Sequence, residues 1–281
     1  MIRLALILAL GLALPASAAP LATTLFGAQQ AGSAQPPSPL GSYAAGCIAG
    51  AVEIEETAPG WQAMRLSRNR NWGHPSALDV LRRVAAAAQA AGTPRLLVGD
   101  ISQPRGGPMT SGHASHQMGL DIDVWFRPGP ETPLSRQQRE EMGAWTVVSA
   151  DRLRVNDRWT DAHMATLRAA AEDPKVARIF VNAAIKRHLC EVAPAPRPWL
   201  RKIRAWWGHD SHFHVRLACP EGALGCVPQA PPPAGDGCDA SLDWWFSDEA
   251  LNPAPSSGPR KRDVMTLADL PEACLAVLDA D

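Results

Sequence analysis

Two histidine-rich segments, each leading into alternating apolar and polar residues, place the strongest constraint on how this chain can fold. The first covers residues 111–123 and has the sequence SGHASHQMGLDID, and the second covers residues 207–216 and has the sequence WGHDSHFHVR. Five of the eight histidines of the chain lie in these two segments. Alternation with a period of two is typical of a strand that buries one face, so we predict strands at residues 120–126 and 212–217.

If these two strands are neighbours in one sheet, their polar faces meet in one cleft. Asp121 and Asp123 share a face of the first strand, and His212 and His214 share a face of the second. His116, in the loop just before the first strand, can reach the same point. Imidazole and carboxylate groups are what a catalytic zinc ion binds, with three protein ligands and one position left for water. The pattern therefore predicts His116, Asp123 and His214 as zinc ligands.

The other histidines of the two segments are candidates for acid–base and charge-stabilising roles. A catalytic zinc site needs a base near the attacking water, and imidazole titrates near neutral pH, so we assign this role to His212. His209 is a candidate for stabilising charge on the tetrahedral intermediate. His113 is interpreted either as a neighbour of the ligands or as a ligand of a second metal ion.

Several other residues have simpler interpretations. An isolated His-x-His or Asp-x-Asp pattern is usually a surface feature, so the zinc prediction depends on both segments together. Trp199, Trp206 and Trp207 are expected either to line a substrate groove or to pack in the core. The three histidines outside the segments are expected at the surface or at helix caps.

The start of the chain and its cysteines predict a secreted protein. One positive charge precedes an apolar run at residues 4–14 that is too short to span a bilayer, and small residues follow at 16–18. We interpret residues 1–18 as a cleaved signal peptide and expect no transmembrane anchor in the mature chain. Six cysteines behind a signal peptide imply three disulfides in an oxidising compartment, although six allow fifteen pairings.

Composition and local patterns predict an α+β fold with mobile ends. Residues 19–42 are expected to form a flexible N-terminal arm, residues 43–250 the domain that carries the predicted zinc site, residues 251–262 a flexible link and residues 263–281 a C-terminal segment. Helices are predicted at 77–91, 135–144, 160–172, 183–191 and 198–206, and further strands at 96–101 and 176–181. Strands and helices do not alternate regularly, which favours an α+β class over a parallel α/β class.

Charge and missing motifs exclude several classes of function. The chain has 27 Lys and Arg against 28 Asp and Glu. This balance gives no net positive electrostatic field that would attract nucleic acid. No Ser-x-x-Lys occurs, which excludes a penicillin-binding serine enzyme by its own motif. Neither Gly-x-Ser-x-Gly nor His-Glu-x-x-His occurs, so an α/β-hydrolase elbow and a thermolysin-like peptidase are also excluded.

The motifs resemble those of the penicillin-insensitive murein endopeptidases. The first segment, followed later by His-x-His-Val-Arg-Leu-x-Cys-Pro, is similar to that family, and so are residues 177–186 and 199–202. The resemblance extends from about Cys47 to the C-terminal cysteine. It implies a mostly antiparallel central sheet with flanking helices, stapled by disulfides, around a zinc core shared with D-Ala-D-Ala peptidases, lysostaphin-type enzymes and the hedgehog signalling domain.

The resemblance also implies roles for individual residues. It makes His116, Asp123 and His214 the zinc ligands and His212 the general base, with His209 as a further active-site histidine. In some members of the family an additional metal is bound at positions matched here by His113 and Asp151, but Arg154 stands where those members have a histidine. The disulfides implied by the family are Cys47–Cys274, Cys190–Cys238 and Cys219–Cys226.

The reaction implied by the resemblance is hydrolysis of the D-alanyl–meso-diaminopimelyl cross-bridge of peptidoglycan in the periplasm, with cross-linked muropeptides as substrate. One alternative is a D,D-carboxypeptidase or dipeptidase on the same zinc core. The shape of the groove distinguishes the two, because only an endopeptidase needs a groove open at both ends. Another is a hedgehog-like zinc protein that binds without catalysis, against which the extra histidines argue. The sequence does not determine the oligomeric state.

Overall fold

The computed structural model of the chain describes residues 19–255 and 257–281. The expected signal peptide, residues 1–18, lies outside this part. Among the described residues, no helix has both the length and the apolar composition needed to cross a membrane. The chain folds into helices, one seven-stranded sheet and two two-stranded sheets, which confirms the predicted α+β class.

The main sheet has seven strands and is mostly antiparallel. The strands of the described chain are β1 (Ser38–Ser42), β2 (Ala45–Ala49), β3 (Val52–Glu53), β4 (Thr57–Ala58), β5 (Trp61–Ala63), β6 (Trp72–Gly73), β7 (Leu96–Val98), β8 (Asp121–Trp125), β9 (Val176–Val181), β10 (Ile203–Ala205) and β11 (His212–Leu217). The main sheet has the order β10-β9-β11-β8-β7-β5-β4. Only the β10–β9 and β5–β7 pairs are parallel.

Helices flank the sheet, as the sequence predicts. They are α1 (Ala22–Gly27), α2 (Pro75–Ala90), α3 (Arg136–Glu141), α4 (Asp161–Glu172), α5 (Ala183–Val192), α6 (Asp248–Leu251), α7 (Lys261–Val264) and α8 (Ala273–Asp279). Helix α2 begins two residues before the predicted start, because Pro75 occupies its first turn and the His74 ring accepts a hydrogen bond from the Ser76 amide at 3.1 Å.

The two strands predicted from alternation are neighbours in the main sheet. Strand β11 pairs antiparallel with β8, and the register sets His214 opposite Asp123 and Arg216 opposite Asp121. The apolar faces of both strands lie in the main core and are at most 2% exposed, at Ile122, Val124, Phe213 and Val215. Burial of one face fixes the register, because a slip of one residue would turn every apolar side chain to the other side.

The N-terminal arm differs from the flexible segment predicted from its composition. Residues 22–27 form α1 and residues 38–42 form β1, which pairs with β2. Phe26 is fully buried in a second core that also contains Met265 and Val277 from the end of the chain. The arm is ordered because its few apolar residues pack against a partner more than 200 residues away, a contact that local composition does not reveal.

The link and the predicted helix at 198–206 also differ from expectation. Within residues 251–262, α6 ends and α7 begins, and the buried Arg262 donates from Nη1 to the His113 carbonyl at 2.5 Å. Residues 198–202 form a 3-10 turn, and residues 203–205 then form β10 at the edge of the main sheet. Edge pairing with β9 therefore overrides the helical pattern of this segment.

The C-terminal segment is held against the rest of the fold by a buried arginine and a disulfide. Arg105 Nη1 donates to the carbonyls of Val277, Leu278 and Ala280 at 2.8, 2.7 and 2.6 Å. The structure has three disulfides, and their pairing is the one implied by the family resemblance: Cys47–Cys274, Cys190–Cys238 and Cys219–Cys226.

We expect the Cys47–Cys274 bridge to contribute most to stability. It joins residues 227 apart, and cross-linking a long loop removes more entropy from the unfolded chain than cross-linking a short one. Replacing both cysteines with Ser should lower the free energy of unfolding by about 4–5 kcal/mol. The matched control is a double Ser variant at Cys219 and Cys226. The bridge that it removes joins residues only 7 apart, so its loss should cost about 2 kcal/mol. Equal midpoints of denaturant unfolding for the two variants would contradict this.

Candidate metal centre

Two adjacent strands and one loop bring His116, Asp123 and His214 together; we call these three residues the ligand triad. Asp123 lies on β8 and His214 lies directly opposite it on β11. His116 precedes β8 and has a left-handed backbone with φ of 67°. Its amide donates to Asp121 Oδ2 at 2.9 Å, and its Nδ1 donates to the Ile101 carbonyl at 2.7 Å. The loop therefore fixes the ring with Nε2 facing the other two members.

The three facing atoms of the triad form a nearly equilateral triangle. His116 Nε2 lies 3.3 Å from Asp123 Oδ1 and 3.3 Å from His214 Nδ1, and His214 Nδ1 lies 3.4 Å from Asp123 Oδ1. Three ligands of one tetrahedral ion, each about 2.0–2.1 Å from it, are themselves separated by about 3.3 Å. Asp123 Oδ1 is buried, yet it is in hydrogen-bond geometry with no described residue. The spacing and this unpaired oxygen both fit a bound metal ion.

The pKa shifts of the triad favour a protonated His116, an ionised Asp123 and a neutral His214. Burial disfavours a charged His116, but the Asp123 carboxylate outweighs burial and raises the pKa of His116 to about 9. Burial also disfavours ionised Asp123, but His116 holds the pKa of Asp123 well below its usual range. Burial lowers the pKa of His214 to about 3, against the opposing effect of Asp121. Metal ligands must be deprotonated, so a cation bound here would take the place of the proton on His116.

His113 forms a second, overlapping group with His116 and Asp123. Its Nε2 lies 3.4 Å from Asp123 Oδ2, the oxygen that faces away from the triangle, and 3.2 Å from Asp100 Oδ2. Burial would raise the pKa of Asp100, but His113 and Arg70 outweigh it and lower this pKa to about 2. We favour the triad with His214 over the group with His113, because only the triad faces the unpaired oxygen of Asp123.

Asp121 supports the triad from behind, a role that the sequence analysis missed. Its carboxylate accepts two hydrogen bonds from Arg216, at 2.8 and 3.2 Å, and Oδ1 lies 2.9 Å from His214 Nε2, although not aligned as a hydrogen bond. Burial would raise the pKa of Asp121, but Arg216 holds it well below its usual range. A carboxylate behind a ligand histidine fixes which nitrogen faces the metal. The sequence feature that could have indicated this role is that Asp121 lies on the same strand face as the ligand Asp123.

His212 and His209 lie at the open side of the triad. His212 is about a quarter exposed, and its Nε2 lies 3.7 Å from Asp123 Oδ2. The His209 ring lies 5.0 Å from that of His212 and 5.8 Å from that of His214. The Nδ1 of His209 donates to the Trp207 carbonyl at 2.8 Å, and burial, with His212 nearby, lowers the pKa of His209 to about 4. His209 is therefore neutral near pH 7, with Nε2 as its acceptor nitrogen, and its role in stabilising charge on the intermediate stays a prediction.

A cleft opens beside these histidines, and His214 is the member of the triad that lines it. His113, His209 and His214 line it together with Arg178, Phe180 and Trp206. Asp151, the other candidate for a second metal, contacts only its own loop within the described residues, through Ser149 Oγ at 2.5 Å, the Leu153 amide at 3.0 Å and Arg154 at 3.3 Å. The Arg154 guanidinium already supplies a positive charge beside this carboxylate, in the place where a second metal ion would lie.

Comparison with known proteins identifies the family to which this chain belongs. The family described as penicillin-insensitive murein endopeptidase matches residues 39–279. The chain is 50% identical over 210 residues to the penicillin-insensitive murein endopeptidase of Haemophilus influenzae, covering 74% of this chain and 73% of the relative. It is 41% identical over 272 residues to that of Klebsiella pneumoniae (strain 342), covering 95% and 96%. The chain that carries this triad is a member of the penicillin-insensitive murein endopeptidase family.

Proposed function

We propose that the protein is a zinc-dependent endopeptidase that cleaves the D-alanyl–meso-diaminopimelyl cross-bridge of peptidoglycan in the periplasm. The observation that carries the proposal is the triangle of His116 Nε2, Asp123 Oδ1 and His214 Nδ1, with sides of 3.3–3.4 Å, beside an open cleft that His214 lines. The names of the relatives support murein as the substrate, and the signal-peptide pattern and three disulfides support the periplasm.

Zinc fits the triad by donor type as well as by spacing. Two imidazole nitrogens and one carboxylate oxygen are a common catalytic zinc set, and one coordination position is left for water or substrate. When bound, zinc supplies a Lewis acid for the scissile carbonyl and for the attacking water. The Ile101 carbonyl accepts from His116 Nδ1 and holds that ring in the orientation that this set needs, and the Asp121 carboxylate lies 2.9 Å from His214 Nε2, on the side away from the triangle.

The chain's own residues supply the proton transfer and the substrate contacts. His212, partly exposed and close to the triad, accepts the proton from the attacking water and later delivers it to the leaving amine. Arg178 lines the cleft and has no carboxylate partner among the described residues, which suits a substrate carboxylate such as those of diaminopimelate. Phe180 packs edge-on against His214 at 5.2 Å and shields that side of the metal site from water.

The proposal is tested with purified muropeptides of defined structure. A cross-linked dimer should be converted to monomers, and this conversion should stop with a chelator and return with added zinc. Monomeric pentapeptide in a parallel reaction distinguishes the carboxypeptidase alternative, because that enzyme would release free D-alanine from it. Release of D-alanine without cleavage of the dimer, or cleavage that is unaffected by the chelator, would reject the proposal.

We expect β-lactams to have no effect on this activity. Acylation by penicillin needs an activated serine, and the chain lacks the Ser-x-x-Lys motif that supplies one. Hydrolysis of the dimer should therefore continue at saturating penicillin, and intact-mass measurement should show no adduct. A stoichiometric mass increase equal to that of the β-lactam would contradict the expectation. A penicillin-binding serine enzyme assayed beside it is the positive control.

A further inference from the structure

Four tryptophans form a partly exposed cluster beside the cleft. This tryptophan cluster consists of Trp206, Trp207, Trp244 and Trp245, whose contacting rings have centroids 4.7–6.2 Å apart. Trp206, Trp207 and Trp244 are each 42–47% exposed. Proton transfer and metal binding, as derived above, use none of these indoles. Exposed aromatic patches of this kind mark binding surfaces on soluble proteins.

The cluster forms the wall of a cavity of its own. The cavity is lined by the indoles of Trp206, Trp207 and Trp245, with the polar residues Arg152, Asn182 and Asp210. A concave apolar wall with a few polar groups at its edge is the usual form of a site for a small organic ligand. Of the residues in the metal centre, none lines this cavity, so it is a site separate from the triad.

The cavity adjoins the cleft at Trp206. This indole lines both spaces, and its ring lies 5.6 Å from Phe180, which in turn lies 5.2 Å from the ring of His214. A substrate that lies in the cleft and extends past Trp206 therefore reaches the cavity. This adjacency favours a portion of the substrate as the occupant over an unrelated partner.

The cluster is held rigidly in place. Trp207 Nε1 donates to the Ala250 carbonyl at 3.0 Å, and the Trp206 amide donates to the Val181 carbonyl at 2.9 Å. Trp244 and Trp245 lie on the 3-10 turn Ala240–Phe246, whose last residue packs under the Arg187 guanidinium at 3.7 Å. Because these rings are already ordered, binding costs little side-chain entropy. The Trp207 N–H is already engaged, so this indole offers its face to a ligand.

The chemistry of the cavity fits a neutral sugar ring. A pyranose has C–H groups on its faces and hydroxyl groups around its edge, so its faces pack on indoles while its edge needs hydrogen-bond partners. Arg152 and Asp210 carry opposite charges, so the cavity favours neither an anion nor a cation. An acyl chain would remove the charges of Arg152 and Asp210 from water, which costs free energy.

We propose that the tryptophan cluster is a subsite for the glycan strand of murein and binds an N-acetylhexosamine ring next to the cross-bridge in the cleft. The inference rests on the proposed function, because murein is the substrate that joins such sugars to a cross-linked peptide. The enzyme then recognises glycan and peptide together and prefers a sugar-bearing substrate.

The kinetic test compares two substrates that differ only in sugar. One is a cross-linked muropeptide dimer with its disaccharides, and the other is the same cross-linked peptide with the sugars removed. The wild-type kcat/KM should be higher on the first, and Trp245→Ala should lower the ratio of the two values by about tenfold, whereas Trp245→Phe, which keeps a ring, should retain most of it. Trp145→Ala removes a half-buried indole outside the cluster and is the control for general effects on folding.

A binding test separates failure of the subsite from failure of the proposed function. A β-1,4-linked N-acetylglucosamine trimer, which has no peptide, should bind the wild-type protein and should bind Trp245→Ala about tenfold more weakly by ligand-observed NMR. Binding of the trimer without cleavage of either dimer would support the subsite and reject the endopeptidase. Cleavage of both dimers at equal kcat/KM, with no trimer binding, would overturn the subsite and leave the endopeptidase intact. The subsite would also be overturned if the wild-type protein were a dimer in solution and Trp245→Ala were a monomer. A second copy of the protein, rather than a sugar, would then occupy the cavity.

Discussion

Replacing His214 with Ala should remove the bound metal from the protein and abolish its hydrolase activity. The substitution deletes Nδ1, one corner of the triangle, and leaves only His116 Nε2 and Asp123 Oδ1 as ligands. Loss of one ligand from a site worth roughly 10–16 kcal/mol should cost about 4 kcal/mol, or roughly a thousandfold in affinity. His116→Ala should have the same effect. The fold should survive both changes, because Asp121 keeps its two hydrogen bonds to Arg216 and the three disulfides remain.

Two comparisons make this test specific to the triad. His113→Ala should keep its metal, because His113 contacts the outward oxygen of Asp123 and lies outside the triangle. His188→Ala changes a histidine that packs on Trp159 away from the site and controls for handling. The measurements are elemental analysis after dialysis, hydrolysis of a cross-linked muropeptide dimer, and circular dichroism for folding. Full metal content in His214→Ala together with loss of metal from His113→Ala would show that the overlapping group with His113 is the metal site.

The strands that carry the site could be predicted because their pattern is local. In β8 and β11, burial of one face imposes a period of two on the sequence, and that period also places Asp123 and His214 on the opposite face. Strand β9, residues 176–181, has the predicted bounds for a related reason, since it is a short apolar run. Elements whose order depends on distant partners were missed. Helix α1 needs the C-terminal core around Met265, and β10 needs the edge of β9.

The sequence predicts that His116, Asp123 and His214 lie close together, as they do in the structure, but it does not give their atomic arrangement. Strand periodicity accounts for two members of the triad, yet the left-handed backbone of His116 and its hydrogen bond to the Ile101 carbonyl depend on how the loop closes. The same holds for His209, whose tautomer follows from a carbonyl two residues earlier in the folded chain. Charge pairs such as Asp121 with Arg216 follow from cross-strand register, which two separated segments of sequence do not specify on their own.

Replacing His212 with Ala should leave the metal bound and reduce turnover of the cross-linked dimer by roughly 10²–10⁴, the usual contribution of a positioned acid–base group. The physical reason lies in which atoms contact each other. His212 Nε2 lies 3.7 Å from Asp123 Oδ2, whereas the triangle uses Asp123 Oδ1, so the substitution removes no corner of it. The loss should appear in kcat more than in KM, because proton transfer belongs to the transition state.

The test of His212 depends on measuring metal and turnover in the same preparation. His214→Ala is the matched control, since the two histidines lie two residues apart on the same face of β11 and only one is a corner of the triangle. His209→Ala, assayed in parallel, asks whether the neighbouring imidazole shares the proton transfer, which its acceptor nitrogen permits. If His212→Ala loses its metal as completely as His214→Ala, His212 is a ligand and the base is another group. If it retains both metal and full turnover, the proton is accepted elsewhere, and His209 is then the residue whose substitution should abolish turnover.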